Sequence, residues 1–236
     1  MPGFFKSKYK KEQHVTAVLV AAGSGTRMHM AGSKQLAEIC GRPVIAHTLE
    51  AFQAAELVDD IVLVARQSDI LLLSDIARAF DITKVTDIVS GGATRCESVR
   101  RGLEAAAGEV VAIHDGARPC VLPEHIDAAV RCALEHGAAA LGCRVADTLK
   151  TADENGVITG TVDRRGLWQV QTPQVFAKEL IVRAYESGDA AAATDDCMLA
   201  EQAGIPVRLV EGAATNIKIT VQADLALAEA ILEGLK

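Results

Sequence analysis

Short apolar runs alternate with longer stretches of helical rhythm along most of the chain. Residues 15–22 are apolar or β-branched almost throughout and read as a first buried strand, closed by Gly23-Ser24-Gly25. Pro43 opens a helix whose apolar positions recur at Ile45, Leu49 and Phe52. The same logic predicts strands over 61–65, 86–90, 110–114 and 138–145, and helices over 68–80, 98–107 and 123–136. The rhythm then breaks. Residues 147–170 are polar and turn-rich, with Glu154-Asn155-Gly156 between short alternating runs, a strong local signal for a hairpin. Helices over 178–187, 194–203 and 221–235 and strands over 207–210 and 216–220 complete the pattern.

Repeated strand–helix units predict an α/β fold: a mostly parallel, twisted sheet covered by helices on both faces, with a β-arm protruding from it. The 236 residues show no internal repeat or linker. They read as one domain, with 1–13 a basic tail and about 147–170 the arm. In such sheets ligands sit beyond the carboxyl ends of the strands. Three polar clusters follow strand ends there: residues 23–27, 91–98 and 115–118.

Composition narrows the partners. Half the residues are hydrophobic, so a large core can be buried, yet only 3% are aromatic, which disfavours a stacking platform for nucleic-acid bases. The formal charge of −7 argues against general nucleic-acid or anionic-membrane binding, while leaving room for a local basic pocket. No apolar run reaches the roughly 18 residues of a membrane span, and the basic N-terminus lacks the apolar core of a secretory signal. The six cysteines, with no CxxC pair, fit reduced thiols in a cytoplasmic protein.

The Ala22-Gly23-Ser24-Gly25 turn lets backbone N–H groups approach phosphate, and Arg27 and Lys34 add two cations suited to a triphosphate. The segment lacks the pattern of a dinucleotide fingerprint or a P-loop. Gly91-Gly92 with Ser98 opens a helix and offers groups that read a base edge; the alternative is a plain turn, capped by Thr94, with Arg95 and Glu97 as surface charge. Asp115, at a strand end, is placed to face a metal or a ribose, with Arg118 to bind phosphate and keep it ionised. His114 reads as a core histidine. The arm, with Arg164 and the single Trp168, needs a surface to lie on, and a second copy of the chain is the simplest one. Lys218 is either a surface lysine or a third cation at the site. Thr194-Asp195-Asp196 reads as a helix cap.

In order, the segments AAGSGTRM, KQ, GGATRCESV, HDGARP, ADTLK, TVDRRGLWQVQTPQ, TDD and NIKIT resemble the 2-C-methyl-D-erythritol 4-phosphate cytidylyltransferase family over nearly the whole chain. The resemblance implies a Rossmann-like nucleotidyltransferase fold. It also implies transfer from CTP to methylerythritol phosphate with release of pyrophosphate, in non-mevalonate isoprenoid precursor synthesis. It implies a divalent cation such as Mg²⁺, and a homodimer whose arms clasp each other. Carried over, Arg27 and Lys34 match the cations that stabilise charge at the α-phosphate, and Arg164 and Lys218 those that position the acceptor phosphate. Asp115 matches the acid near the ribose and the Mg²⁺-triphosphate. Arg118 and Thr148 match acceptor-phosphate contacts, with Thr148 and Arg164 reaching from the partner's arm. Gly91, Gly92 and Ser98 match the cytosine-reading element. Ala93 and Thr215 depart from residues often polar or acidic in relatives. Ribitol 5-phosphate cytidylyltransferases share nearly the same motifs and are the nearest alternative; a nucleotide-binding protein without turnover is the more distant one. The chain stops soon after its last helix, so no fused cyclase of the pathway is expected.

Overall fold

The computed structural model describes residues 13–23, 33–189 and 192–235. β1 (Val15–Val20) is followed by a 3-10 turn (Lys34–Leu36), a short ribbon of β2 (Glu38–Ile39) and β3 (Arg42–Pro43), and α1 (Val44–Ala54). β4 (Asp60–Ala65), α2 (Ile70–Ala79), β5 (Val85–Ser90), α3 (Arg95–Ala105), β6 (Val110–Asp115), α4 (Pro123–His136) and β7 (Ala138–Arg144) then alternate strictly. β8 (Leu149–Ala152), β9 (Ile158–Val162), β10 (Trp168–Ala177), α5 (Lys178–Ser187), α6 (Asp196–Gln202), β11 (Arg208–Glu211) and α7 (Ala223–Gly234) complete it.

Seven strands form one sheet in the order β11-β7-β10-β6-β1-β4-β5. β1 pairs in parallel with β4 on one side and β6 on the other. Val15, Ala17 and Leu19 pack with Ile45, Leu49 and Phe52 of α1 and with Ile126 and Val130 of α4. Val18 packs on the other face with Val99 and Leu103 of α3, Ile181 of α5 and Leu199 of α6. Cover on both faces is why this strand reads as a continuous apolar run instead of an alternating one. In α3, a Cβ on Gly102 would lie 2.3 Å from Val18 Cγ1. Glycine there lets the helix lie directly on β1, which fixes where its N-terminus meets the strand ends.

The predicted fold class stands, with helices on both faces of a mostly parallel sheet. The helices over 123–136 and 178–187 keep their expected bounds. Besides the β2–β3 ribbon and shifts of a few residues at element ends, three features differ from the sequence expectation. β10 was not expected; it runs antiparallel between β6 and β7, and its ladder shifts between Val170 and Gln174, where Pro173 has no N–H to donate. Residues 168–170, assigned to the arm, already pair with β7 as part of this strand. The strand expected over 216–220 is irregular chain: Ile219 N–H donates to Ala117 O at 2.9 Å, and the segment is tied over the end of β6 instead of extending the sheet.

β8 and β9 form a separate antiparallel hairpin whose tip turns at Gly156, in a left-handed conformation (φ +79°). Asp153 Oδ1 accepts from the N–H groups of Asn155 and Val157, both at 2.9 Å, and so holds the turn. Val157 and Ile158 are exposed on it. Among the described residues no helix is long and apolar enough to cross a membrane.

Candidate active site

The site grows from the end of β6. Both edges of that strand are paired, so Asp115 is delivered at a fixed height above the sheet. Three cations divide its carboxylate. Lys218 Nζ meets Oδ2 at 2.7 Å, Arg118 Nε approaches the same oxygen at 3.8 Å, and Arg95 Nε approaches Oδ1 at 3.4 Å. Burial opposes ionisation of Asp115, but Lys218, Arg95 and Arg118 together hold it well below the usual carboxylate range.

His114, one residue earlier, is buried and lies against the Phe52 ring. Burial pushes its pKa down to about 3, so the imidazole is neutral near pH 7. Its Nε2 is 3.3 Å from Arg118 O, which only accepts, so the proton sits on Nε2. Nδ1 then accepts from the Thr172 hydroxyl at 3.0 Å, and that oxygen accepts from Asp115 N–H at 3.1 Å. The chain of bonds sets the backbone of Asp115. His114 is the core residue the sequence suggested.

Asp115 lies at the boundary of two openings. The larger, a cavity of about 560 Å³, is lined by Ala22 and Gly23 after β1, Lys34, Arg66 after β4, Gly92, Arg95 and Ser98 at the start of α3, and Lys218. The smaller, about 210 Å³, continues past Asp115 to Arg118, Gln171, Thr172 and Asp195. The larger falls within the roughly 300–1,000 Å³ usual for small-molecule sites. Among its described lining residues, Lys34, Arg66, Arg95 and Lys218 face one carboxylate, Asp115. In a chain of net charge −7 this is a locally basic, anion-selecting cleft.

Lys34 and Lys218 are brought together by the irregular segment. Lys34 Nζ donates to Ile219 O at 2.7 Å, which ties the 3-10 turn to the residue after Lys218. Asn216, buried beneath, donates to Thr172 O at 3.0 Å, and Arg118 Nη1 donates to Asn216 O at 2.7 Å. The loop between β5 and α3 closes the opposite wall. A Cβ on Gly91 would lie 2.4 Å from the Ala22 Cβ and 2.9 Å from Ser98 Oγ, so only glycine lets the two loops touch. Ser98 Oγ accepts from Gly92 N–H at 3.1 Å and donates to Thr94 O at 2.8 Å, which shapes the loop. Thr94 and Glu97 cap the helix reciprocally, with Thr94 Oγ1 accepting from Glu97 N and Glu97 Oε2 from Ala93 N. Asp195 caps α6 by accepting from Met198 N, as the sequence suggested.

Of the residues singled out from sequence, Ala22, Gly23, Lys34, Gly92, Ser98, Asp115 and Lys218 line the larger cavity, with Gly91 beneath it and Arg118 at the smaller one. Ser24, Gly25 and Arg27 lie outside the described residues, as does most of the basic tail. Thr148 and Arg164 are exposed and line neither opening of their own chain. The residue sequence reasoning missed is Arg95, expected as surface charge. Its guanidinium is mostly covered and paired with Asp196 at 2.8 Å, a partner far along the chain that no local pattern reveals. No cluster of three or more His, Cys, Asp or Glu able to hold a metal occurs among the described residues. One ionised carboxylate beside a phosphate-sized basic cleft nonetheless fits Mg²⁺, which commonly takes one or two protein carboxylates and fills its shell with substrate phosphates and water.

Known proteins resemble this chain over nearly its whole length. The family model for 2-C-methyl-D-erythritol 4-phosphate cytidylyltransferase matches residues 15–234. The protein of that name from Geobacillus kaustophilus is 44% identical over 220 residues, covering 92% of this chain and 96% of the relative. That from Syntrophus aciditrophicus is 42% identical over 224 residues, covering 93% and 96%. The crystal structure of 4-diphosphocytidyl-2C-methyl-D-erythritol synthase from Anaerococcus prevotii superposes with a TM-score of 0.81 at 32% identity, covering 94% of this chain and 96% of that one.

Proposed function

The chain belongs to the 2-C-methyl-D-erythritol 4-phosphate cytidylyltransferase family, and we propose that the paired openings around Asp115 are where it joins CTP to that acceptor. The observation that carries the assignment is the meeting of Lys34, Arg95, Lys218 and Asp115 in one cleft at the strand ends. The reaction transfers a cytidylyl group to the acceptor and releases pyrophosphate, a step in isoprenoid biosynthesis.

An acceptor phosphate oxygen attacks the α-phosphorus of CTP as pyrophosphate leaves on the far side. The nucleophile is ionised near neutral pH, so no general base is needed, and the neutral His114, its two nitrogens already engaged, is free of that duty. The protein's task is to hold two polyanions together against their repulsion and to stabilise charge on the α-phosphoryl oxygens. Lys34, with Arg27 from the first loop, does this at the triphosphate. The backbone of Ala22 and Gly23 lies at the phosphates, where the family resemblance also assigns Ser24 and Gly25, and Gly91, Gly92 and Ser98 frame the cytosine. Lys218 and Arg118 hold the acceptor phosphate, with Lys218 leaving Asp115 as the substrates arrive. Asp115 would hold Mg²⁺, which would offset triphosphate charge.

The enzyme works as a homodimer. Thr148 and Arg164 lie outside the openings of their own chain, and the β8–β9 hairpin exposes Val157 and Ile158; both fit arms that clasp and carry these residues to the partner's acceptor site. The cysteine spacing fits a cytoplasmic location. Pyrophosphate release from CTP with either acceptor tests the assignment. Turnover with 2-C-methyl-D-erythritol 4-phosphate and little with ribitol 5-phosphate is expected; the reverse order would reassign the acceptor.

A further inference from the structure

Asp115 has two kinds of cationic partner. Lys218 is a partly exposed side chain on irregular backbone, free to exchange one anion for another. Arg95 is built in. Its Nη1 and Nη2 donate to the two carboxylate oxygens of Asp196 at 3.1 and 2.8 Å, a bidentate fork, while Nε turns toward Asp115 Oδ1 at 3.4 Å. Asp196 is itself fully buried and immobilised. The Tyr185 hydroxyl donates to its Oδ1 at 2.5 Å, and its N–H donates to Gln174 Oε1 at 3.0 Å at the start of α6. A continuous chain thus runs from Tyr185 in α5 through Asp196 and Arg95 to Asp115.

We propose that Arg95 is a positioning residue for the transfer: anchored by Asp196 and Tyr185, it fixes Asp115 from the Oδ1 side while Lys218 exchanges from Oδ2 onto substrate. Without that anchor, release of Lys218 would leave the carboxylate only the 3.8 Å approach of Arg118, too long to fix it, and the triphosphate it helps orient would lose its register with the acceptor. The fork explains why the position takes arginine: a lysine is a point charge and serves one carboxylate at a time. The inference rests on reading the cleft as the CTP site.

Steady-state kinetics and CTP binding of Arg95→Lys, Tyr185→Phe and the double variant test it, with CTP protection against thermal unfolding measured in the absence of acceptor. Wild-type turnover checks the cleft assignment separately: no pyrophosphate release by wild type would overturn that assignment, whereas active wild type with unaffected variants would overturn only the role of Arg95. Arg95→Lys is expected to lower kcat/KM for CTP about 10- to 100-fold, the usual cost of losing a residue that orients a ligating group. Acceptor KM should stay near wild type, and CTP protection should shrink. Tyr185→Phe removes only a buried hydroxyl remote from substrate and should cost about five-fold, the scale of one hydrogen bond. Because the hydroxyl acts through Arg95, the double variant should be no slower than Arg95→Lys. Wild-type kinetics in folded Arg95→Lys, or single effects that multiply in the double variant, would overturn the inference. If Arg95→Lys does not fold, Tyr185→Phe decides alone: unchanged kcat/KM and CTP protection would overturn it.

Discussion

The Lys218 ammonium meets the Asp115 carboxylate at 2.7 Å, joining the irregular segment before α7 to the end of β6. This contact closes the basic cleft. Replacing Lys218 with Gln leaves Asp115 its contacts with Arg95 and Arg118, so the fold should persist while an acceptor-positioning cation is lost. Turnover should fall about 100- to 1,000-fold, the range seen when one stabilising donor is removed from a preorganised site. Circular dichroism and steady-state assays of the variant check both halves; near-normal turnover would remove Lys218 from the site.

Lys34→Ala removes a cleft cation and also leaves Ile219 O without its 2.7 Å donor. Turnover should drop by orders of magnitude, with weaker CTP binding as well. Arginine at this position restores charge but not the compact reach to that carbonyl, so Lys34→Arg should recover only part of the rate.

Gly91→Ala tests the contact between the first two loops. The added methyl would press on Ala22 and Ser98, and overpacking of this kind costs about 1–3 kcal/mol. A lower melting temperature together with a raised KM for CTP is expected. Lower stability with unchanged CTP KM would show that this wall does not frame the nucleotide.

His114 and Asp115 give the stability a defined pH dependence. Burial holds the His114 pKa at about 3 against 6.5 for a free histidine. Above pH 6.5 both folded and unfolded states leave it neutral, and it adds no slope. Below that, the unfolded chain takes up a proton that the folded one refuses. Stability therefore falls toward acid by at most about 1.4 kcal/mol per pH unit. Asp115, held below its ordinary 3.8, adds a loss of the same sign as pH drops beneath that value. Urea unfolding of His114→Gln between about pH 6 and about pH 4 should show a flatter slope than wild type. An unchanged slope would mean His114 is not the group refusing the proton.

Much of this was legible in the chain itself. β1 and residues 61–65 of β4 announce themselves because both faces are covered and every position is apolar or β-branched, and α4 is bounded by Pro123 and Gly137, which stays left-handed at φ 87°. β10 was illegible because Gln171, Thr172 and Gln174 are buried for their hydrogen bonds to Ala213, His114 and Asp195, not for hydrophobicity. Residues 216–220 imitate a strand in composition, yet their backbone groups serve Arg118, Lys34 and Ala117 in place of a sheet. Asp115 and Lys34 were singled out because their motifs sit at a strand end or beside a Gly loop, whereas for Lys218 the residues alone left a surface lysine open and only the family resemblance pointed to the site. Arg95 was not, because its meaning lies in a buried aspartate brought to it only by folding.

Shared sites make a further prediction. Arg164→Ala and Lys34→Ala should each be inactive alone. If the arm of one protomer completes the site of the other, mixed and refolded heterodimers regain activity, since one of the two sites then holds both wild-type residues. Absence of any recovery, with heterodimers verified by mass, would show that Arg164 serves its own chain or none.

The central claim is that these cations surround one triphosphate and its incoming acceptor, and a crystal structure with CTP, Mg²⁺ and the acceptor phosphate tests it most directly. The expected result places the triphosphate at Lys34 and the acceptor phosphate at Lys218, with the cytosine against Gly91, Gly92 and Ser98 and Asp115 facing the metal. CTP bound elsewhere, with the Lys218–Asp115 pair undisturbed, would contradict it.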